Sequence, residues 1–176
     1  MKTKVIFLSS AFIFASCNSK DPAVEKAVSV GPSEAVSMIV ERVPEGDAQL
    51  IHVLRETAKE GDQVTVSGKI MGNSKPFVEG RAAFILGDTE VLTSCDEMPD
   101  DHCETPWDAC CDSKEDKKRG TATIQVVDAE GRVLKEGLEG VGGLEKLATV
   151  TVTGKVAPGS SKDLLVINAT AIRSGK

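Results

Sequence analysis

Val64-Thr65-Val66-Ser67-Gly68-Lys69-Ile70 and Val150-Thr151-Val152-Thr153-Gly154-Lys155-Val156 are nearly the same phrase written twice. In each, β-branched apolar residues alternate with hydroxyl residues. Period two is the mark of a strand with one face in a core and the other toward water. A glycine then interrupts each run. Glycine inside a strand marks a bulge or a sharp bend.

Working outward, the first phrase sits in a strand from Gln63 to Met71 and the second in one from Ala148 to Val156. Arg81 to Leu86 reads as another strand, and Thr121 to Val127 as another. The turn Asp128-Ala129-Glu130-Gly131 follows, with Arg132 to Lys135 as a short return. Leu164 to Arg173 is the fifth strand, after the turn Pro158-Gly159-Ser160-Ser161. Gly137 to Gly143 is a glycine-rich link, and Leu144 to Leu147 one helical turn. Ahead of the strands, Asp47 is an N-cap for a helix to about Lys59, with Leu50, Val53, Leu54 and Ala58 on one face and Gly61 as its stop. Ser33 to Pro44 fits a helical face and a strand equally. Five strands, glycine breaks in the first and fourth, and an irregular link between the third and fourth resemble an OB-type barrel. The predicted fold is therefore mainly β: a five-stranded OB-type barrel with a short preceding helix and a cysteine-rich acidic insertion between strands two and three. Another small barrel or a sandwich is the alternative.

The N-terminal residues speak of export. Lys2 and Lys4 precede an apolar run from Val5 to Ser16. That run is too short to span a bilayer, which takes about 20 apolar residues. It reads as a secretory signal over residues 1–16. Phe14-Ala15-Ser16-Cys17 then resembles the lipobox of bacterial lipoproteins, with Phe14 where Leu is usual. The resemblance implies that the Cys17 thiol is acylated and becomes the new N-terminus; two or more acyl chains anchor a protein stably. Residues 17–46 are expected to be a lipidated tether and irregular segment, and residues 47–176 the OB-like domain. Asn18 after the cysteine points to the outer membrane. A plain secretory signal is the alternative.

Between strands two and three, about residues 87–120 form a long insertion. It holds every cysteine other than Cys17, namely Cys95, Cys103, Cys110 and Cys111, together with His102 and Trp107. From Asp88 to Asp116 there are eleven acidic residues and one basic one, Lys114. Irregular loops this long need a reason. In an oxidising compartment four cysteines favour two disulfides, worth about 2–4 kcal/mol each, with Trp107 covering them. Pairing adjacent Cys110 and Cys111 would strain the ring, which leaves Cys95 and Cys103 bridged to Cys110 and Cys111 in either order. The second reading is a soft metal on four thiolates, or on three with His102. Gaps of seven, six and zero residues do not match an ordinary zinc module. Redox-active thiols are a third. The acidic residues follow no EF-hand pattern.

Several stretches resemble an uncharacterised family of bacterial OB-fold lipoproteins: Pro76-Phe77-Val78-Glu79-Gly80-Arg81-Ala82-Ala83-Phe84, Cys95-Asp96-Glu97-Met98-Pro99, Thr105-Pro106-Trp107-Asp108-Ala109-Cys110-Cys111 and Gly140-Val141-Gly142-Gly143-Leu144. The resemblance covers about residues 50–173. It implies the fold and export. Members are often labelled nucleic-acid-binding, a label drawn from the fold. Composition argues against that activity here. The whole chain carries a net charge of −6, and loss of Lys2 and Lys4 with the signal makes it −8. Such a surface repels phosphate backbones. Phe7, Phe12 and Phe14 lie in the signal, so Phe77, Phe84 and Trp107 are the only aromatic platforms left.

No catalytic constellation emerges. His52 reads as a surface or partly packed residue. Gly137 to Gly143 lacks the Lys-Ser or Lys-Thr ending of a phosphate loop. The chain is read as a non-enzymatic binding or structural module of the cell envelope, with Trp107, Arg81 and Lys69 as a candidate binding surface. A basic peptide, a protein or a cation is the expected partner, a metal the only cofactor considered, and nucleic acid is disfavoured. If Cys17 is the anchor, Cys17→Ala moves the protein from the membrane to the soluble fraction and removes the acyl mass. Unchanged membrane partitioning on fractionation overturns the anchor.

Overall fold

The computed structural model describes residues 31–99 and 102–175. The segment expected to be a signal and Cys17 lie outside the described residues. Two helices come first, α1 (Glu34–Glu41) and α2 (Ile51–Thr57), followed by strands β1 (Gln63–Lys69) and β2 (Ala83–Gly87). After a third helix, α3 (Lys114–Gly120), come β3 (Thr121–Gln125), β4 (Thr149–Val156) and β5 (Val166–Ser174). The five strands close a mixed barrel in the order β1-β2-β3-β5-β4. All neighbours are antiparallel except β3 and β5, which run parallel.

The alternation seen in the sequence becomes the barrel interior. Val64 and Val66 of β1, Phe84 and Leu86 of β2, Ile124 of β3, Val150 and Val152 of β4, and Ile167 and Ile172 of β5 form one buried cluster. Val36 of α1 and Ile51 and Leu54 of α2 join it. β4 runs beside β1 along the whole of β1, Gln63 opposite Lys155 through Lys69 opposite Thr149. On the other side β1 meets β2 at a single pair, Lys69 opposite Gly87. Gln49 fills part of that gap: its N–H donates to Thr65 O at 2.9 Å and its carbonyl accepts from Ser67 N at 3.1 Å.

The two interrupting glycines have different jobs. At Gly68 a Cβ would stand 2.5 Å from the Gly87 carbonyl oxygen and 3.0 Å from Leu86 Cγ, so the closure between β1 and β2 requires a residue without one. At Gly154 a Cβ would overlap the Asn168 carbonyl and lie 2.7 Å from Ile167 Cγ2. The bulge is here: Thr153 pairs with Ala171 and Gly154 with Ala169, which leaves Thr170 as the extra residue. Bulges bend a strand and increase its twist, as a small closed barrel needs.

Some expectations need correction. Residues 31–46, read as the end of a tether, contain α1, whose Val36 is fully buried. Ser33 caps this helix, its Oγ accepting from Val36 N at 3.3 Å, and itself donates from N and Oγ to the Glu136 carboxylate at 2.9 and 2.6 Å. The folded part thus begins before residue 47, because Val36 contributes apolar area to the same core. Asp47 is not the cap of α2; Leu50 stands there, and makes no side-chain cap bond. Residues 132–135 form no strand, only the bridge between Val127 and Val133. The short 3₁₀ turn falls at Val141–Gly143 rather than at 144–147. Among the described residues no helix is long and apolar enough to cross a membrane.

Replacing Gly154 by Val forces a side chain against the Asn168 carbonyl, an overpacking that costs about 1–3 kcal/mol. Thermal unfolding should begin several degrees lower. The same change at exposed Gly137, where a Cβ meets nothing within 4 Å, should leave the midpoint nearly unmoved; equal effects would remove the close-approach explanation.

Candidate metal centre

The insertion starts on a buried carboxylate. Asp88, fully buried directly after β2, accepts from Glu90 N at 2.9 Å through Oδ1. Its Oδ2 accepts from His52 N at 2.9 Å and meets His52 Nδ1 at 2.8 Å. A buried carboxylate needs such partners. The Asp88 carbonyl then accepts from Leu92 N at 2.8 Å, which turns the chain back on itself. Leu92, with Met71 and Ala109, forms a second small buried cluster beside the barrel core.

Beyond this turn two runs of the insertion pair with each other. Cys95 N donates to Asp108 O and Asp96 N to Pro106 O, both at 2.9 Å. Thr93 N donates to Asp112 Oδ2 at 2.9 Å. The barrel holds this unit at two points. Gly72 N donates to Trp107 O at 2.9 Å, and Lys69 Nζ pairs with the Glu97 carboxylate and reaches Ser94 Oγ at 3.3 Å. Ser94 and Cys95 are buried in consequence.

The far end of the insertion is α3. Its sequence signals were plain: Ser113 as cap with its Oγ accepting from Asp116 N at 3.0 Å, Glu115 and Asp116 in the first turn, and three basic residues in the last. This is a side-chain N-cap with charges matched to the helix dipole. Arg55 of α2 secures the end of α3. Its buried guanidinium donates to the carbonyls of Lys162 at 2.8 Å, Arg119 at 3.3 Å and Thr121. Burial lowers the Arg55 pKa, while Asp163 and Glu56 act to raise it. No sequence signal marked Arg55, or the partnership of His52 with Asp88 across 36 positions.

Paired runs and anchored ends bring sulfurs together. The Sγ atoms of Cys95, Cys103 and Cys110 all lie within 4.8 Å of one another. Cys95 Sγ and Cys110 Sγ are 3.4 Å apart, and Cys110 Sγ and Cys111 Sγ 3.8 Å. No disulfide is found among the described residues. Three sulfurs bound to one ion at about 2.3 Å each would stand about 3.7–4 Å from one another. Cys111 lies outside the three-sulfur group, and so does exposed His102.

Two of the thiols differ in acidity. Cys103 is lowered, first by the Thr105 hydroxyl, with Sγ and Oγ1 3.4 Å apart, then by the Thr105 backbone; burial opposes them. For Cys110 the largest influence, a hydrogen bond with Cys95, lowers it. Cys111 and desolvation act the other way, and the net shift is upward.

The three residues expected to form a binding surface have these surroundings. Lys69 is engaged by Glu97, and Arg81 is exposed. Trp107 is half-buried: its Nε1 donates to Ser74 O at 2.9 Å, and Lys146 Nζ lies 4.3 Å from the ring centroid. Trp107 is not part of the small cluster of Met71, Leu92 and Ala109.

Comparison of the chain with protein-family models, with curated proteins and with solved structures gives no match. The functional reading therefore rests on its own residues.

Thiolate, not thiol, reacts with alkylating agents. A lowered pKa gives Cys103 a larger thiolate fraction than Cys110, whose pKa is raised, at the same pH. In the reduced chain at neutral pH, iodoacetamide should modify Cys103 before Cys110, and the gap should close as pH rises through the Cys110 pKa. Peptide mass spectrometry gives the order, and Cys110 reacting first would overturn it.

Proposed function

We propose that this protein is a lipid-anchored binding protein of the bacterial cell envelope that holds one soft metal ion. Cys95, Cys103 and Cys110 are the ligands, displayed on an OB-type barrel. The observation that carries the reading is the group of three sulfurs within 4.8 Å of one another. Softness of the donor decides the class of ion. Thiolates select monovalent copper and its chemical relatives, whereas a structural zinc site takes four ligands. Three sulfurs suit a three-coordinate soft ion.

The other parts of the proposal have separate supports. The strand order β1-β2-β3-β5-β4, closed by β4 on β1, with a parallel β3–β5 pair, favours the OB type. Lys2, Lys4 and the Phe14 to Cys17 tetrapeptide favour export and anchoring. A non-enzymatic role fits a site made of ligands with no paired nucleophile and base. Nucleic-acid binding has less in its favour, since Lys69 is engaged by Glu97 and the insertion is acidic.

A different occupancy of the same sulfurs is the disulfide brace. It draws on the 3.4 Å approach of Cys95 to Cys110 and on the oxidising compartment. One experiment separates the two. The full chain, purified without oxygen, is given Cu(I) and analysed for metal, while a portion isolated in air is alkylated without reduction and weighed. The proposal expects about one equivalent of copper, lost with Cys95→Ser. A chain that takes no alkylating agent, has the mass of two disulfides and binds no copper when reduced would leave the brace as the reading.

A further inference from the structure

We propose that Cys111 is the exit ligand of this thiolate site, the sulfur through which the ion passes to a thiol of a partner. The inference rests on the metal-binding reading above and adds a direction to it.

The four sulfurs form a graded series from interior to solvent. Cys95 is 3% exposed, Cys103 is intermediate, and Cys110 and Cys111 are exposed. Contacts follow the same order: Cys95 to Cys110 at 3.4 Å, then Cys110 to Cys111 at 3.8 Å. Cys110 therefore belongs to two sets. With Cys95 and Cys103 it completes the inner group, and with Cys111 it makes an outer pair. If Cys111 were a fourth ligand of equal standing, its sulfur would sit within reach of all three others. Its sulfur lies beside that of Cys110 and is absent from the mutual group.

Such an arrangement lets an ion move outward without ever losing thiolate coordination. The Cys111 thiol gives its proton to water and its sulfur bonds to the ion. The bond from Cys95 sulfur to the ion breaks, and that sulfur takes up a proton from water. One metal–sulfur bond is made and one broken, one proton is released and one taken, and no electron is transferred. The ion is then held by Cys103, Cys110 and Cys111, displaced toward the exposed pair, where an incoming thiolate can repeat the exchange. A wholly buried three-sulfur site would instead have to open before anything could attack it. The receiving group is a cysteine thiol, and the acidic residues around the exit favour a partner with a basic surface. Asp112 adjoins Cys111, and exposed Glu115 lies in the first turn of α3.

The test uses the full chain, reduced and loaded without oxygen with one equivalent of Cu(I), and its Cys111→Ser and Cys95→Ser variants. Affinity is measured by equilibrium competition with bicinchoninate, and transfer by the rate at which added glutathione removes the ion. The proposal expects Cys111→Ser to bind within about threefold of the parent affinity and to release the ion at least about tenfold more slowly. Cys95→Ser should lose affinity outright. Release from Cys111→Ser at the parental rate would overturn the exit role and leave the binding reading intact. Loss of affinity in Cys111→Ser as deep as in Cys95→Ser would also overturn it, by making Cys111 an inner ligand. A parent chain that binds no copper would remove both readings together.

Discussion

Closing five short strands into a ring demands that backbones approach where side chains would ordinarily stand. Here the demand falls on Gly68 against the Gly87 carbonyl and on Gly154 against that of Asn168. The first of these contacts is also where pairing between β1 and β2 is thinnest, at Lys69 opposite Gly87. The insertion departs from the same place and returns to it, with Asp88 N donating to Gly120 O at 2.8 Å. The cysteine unit therefore stands on the seam of the barrel. Lys69 belongs to both, since its backbone closes the ring while its ammonium holds Glu97.

What was legible in the sequence follows from which forces are local. Period-two alternation reports burial of one strand face, so the five strands were readable to within a few residues. The repeated phrase marked two strands with a glycine break, and the pairing of Val66 with Val152 puts the phrases side by side. Helix α1 was ambiguous because Val36, Met38 and Val40 also alternate. Tertiary burial of Val36 decided it, together with the Ser33 cap and its Glu136 partner 103 residues away. Helix α3 was missed although its cap and charges are local, because eleven acidic residues made the segment read as irregular.

The site was half legible. Four cysteines in one segment were evident, but their grouping was not, because it depends on Thr93, Cys95 and Asp96 pairing with Asp112, Asp108 and Pro106 across a loop. The gaps of seven, six and zero residues carry no pattern along the chain. They acquire one when the loop folds on itself and brings Cys95 Sγ to 3.4 Å from Cys110 Sγ. Trp107 was expected to cover the sulfurs. Its indole N–H needs an acceptor, and Ser74 O supplies one across 33 positions, a partner that no pattern in the sequence marked.

The parallel pairing of β3 with β5 has a consequence for the order in which the molecule can be made. β5 lies between β3 and β4, so neither finds its full complement of neighbours until Val166–Ser174 has been synthesised. Before then β1 and β4 can zip together, but β2 and β3 form a separate ribbon with an open edge. Contacts so distant in sequence form late, since loop closure must come before the contacts that reward it. A nascent chain of this topology stays extensible until nearly all of it has left the ribosome.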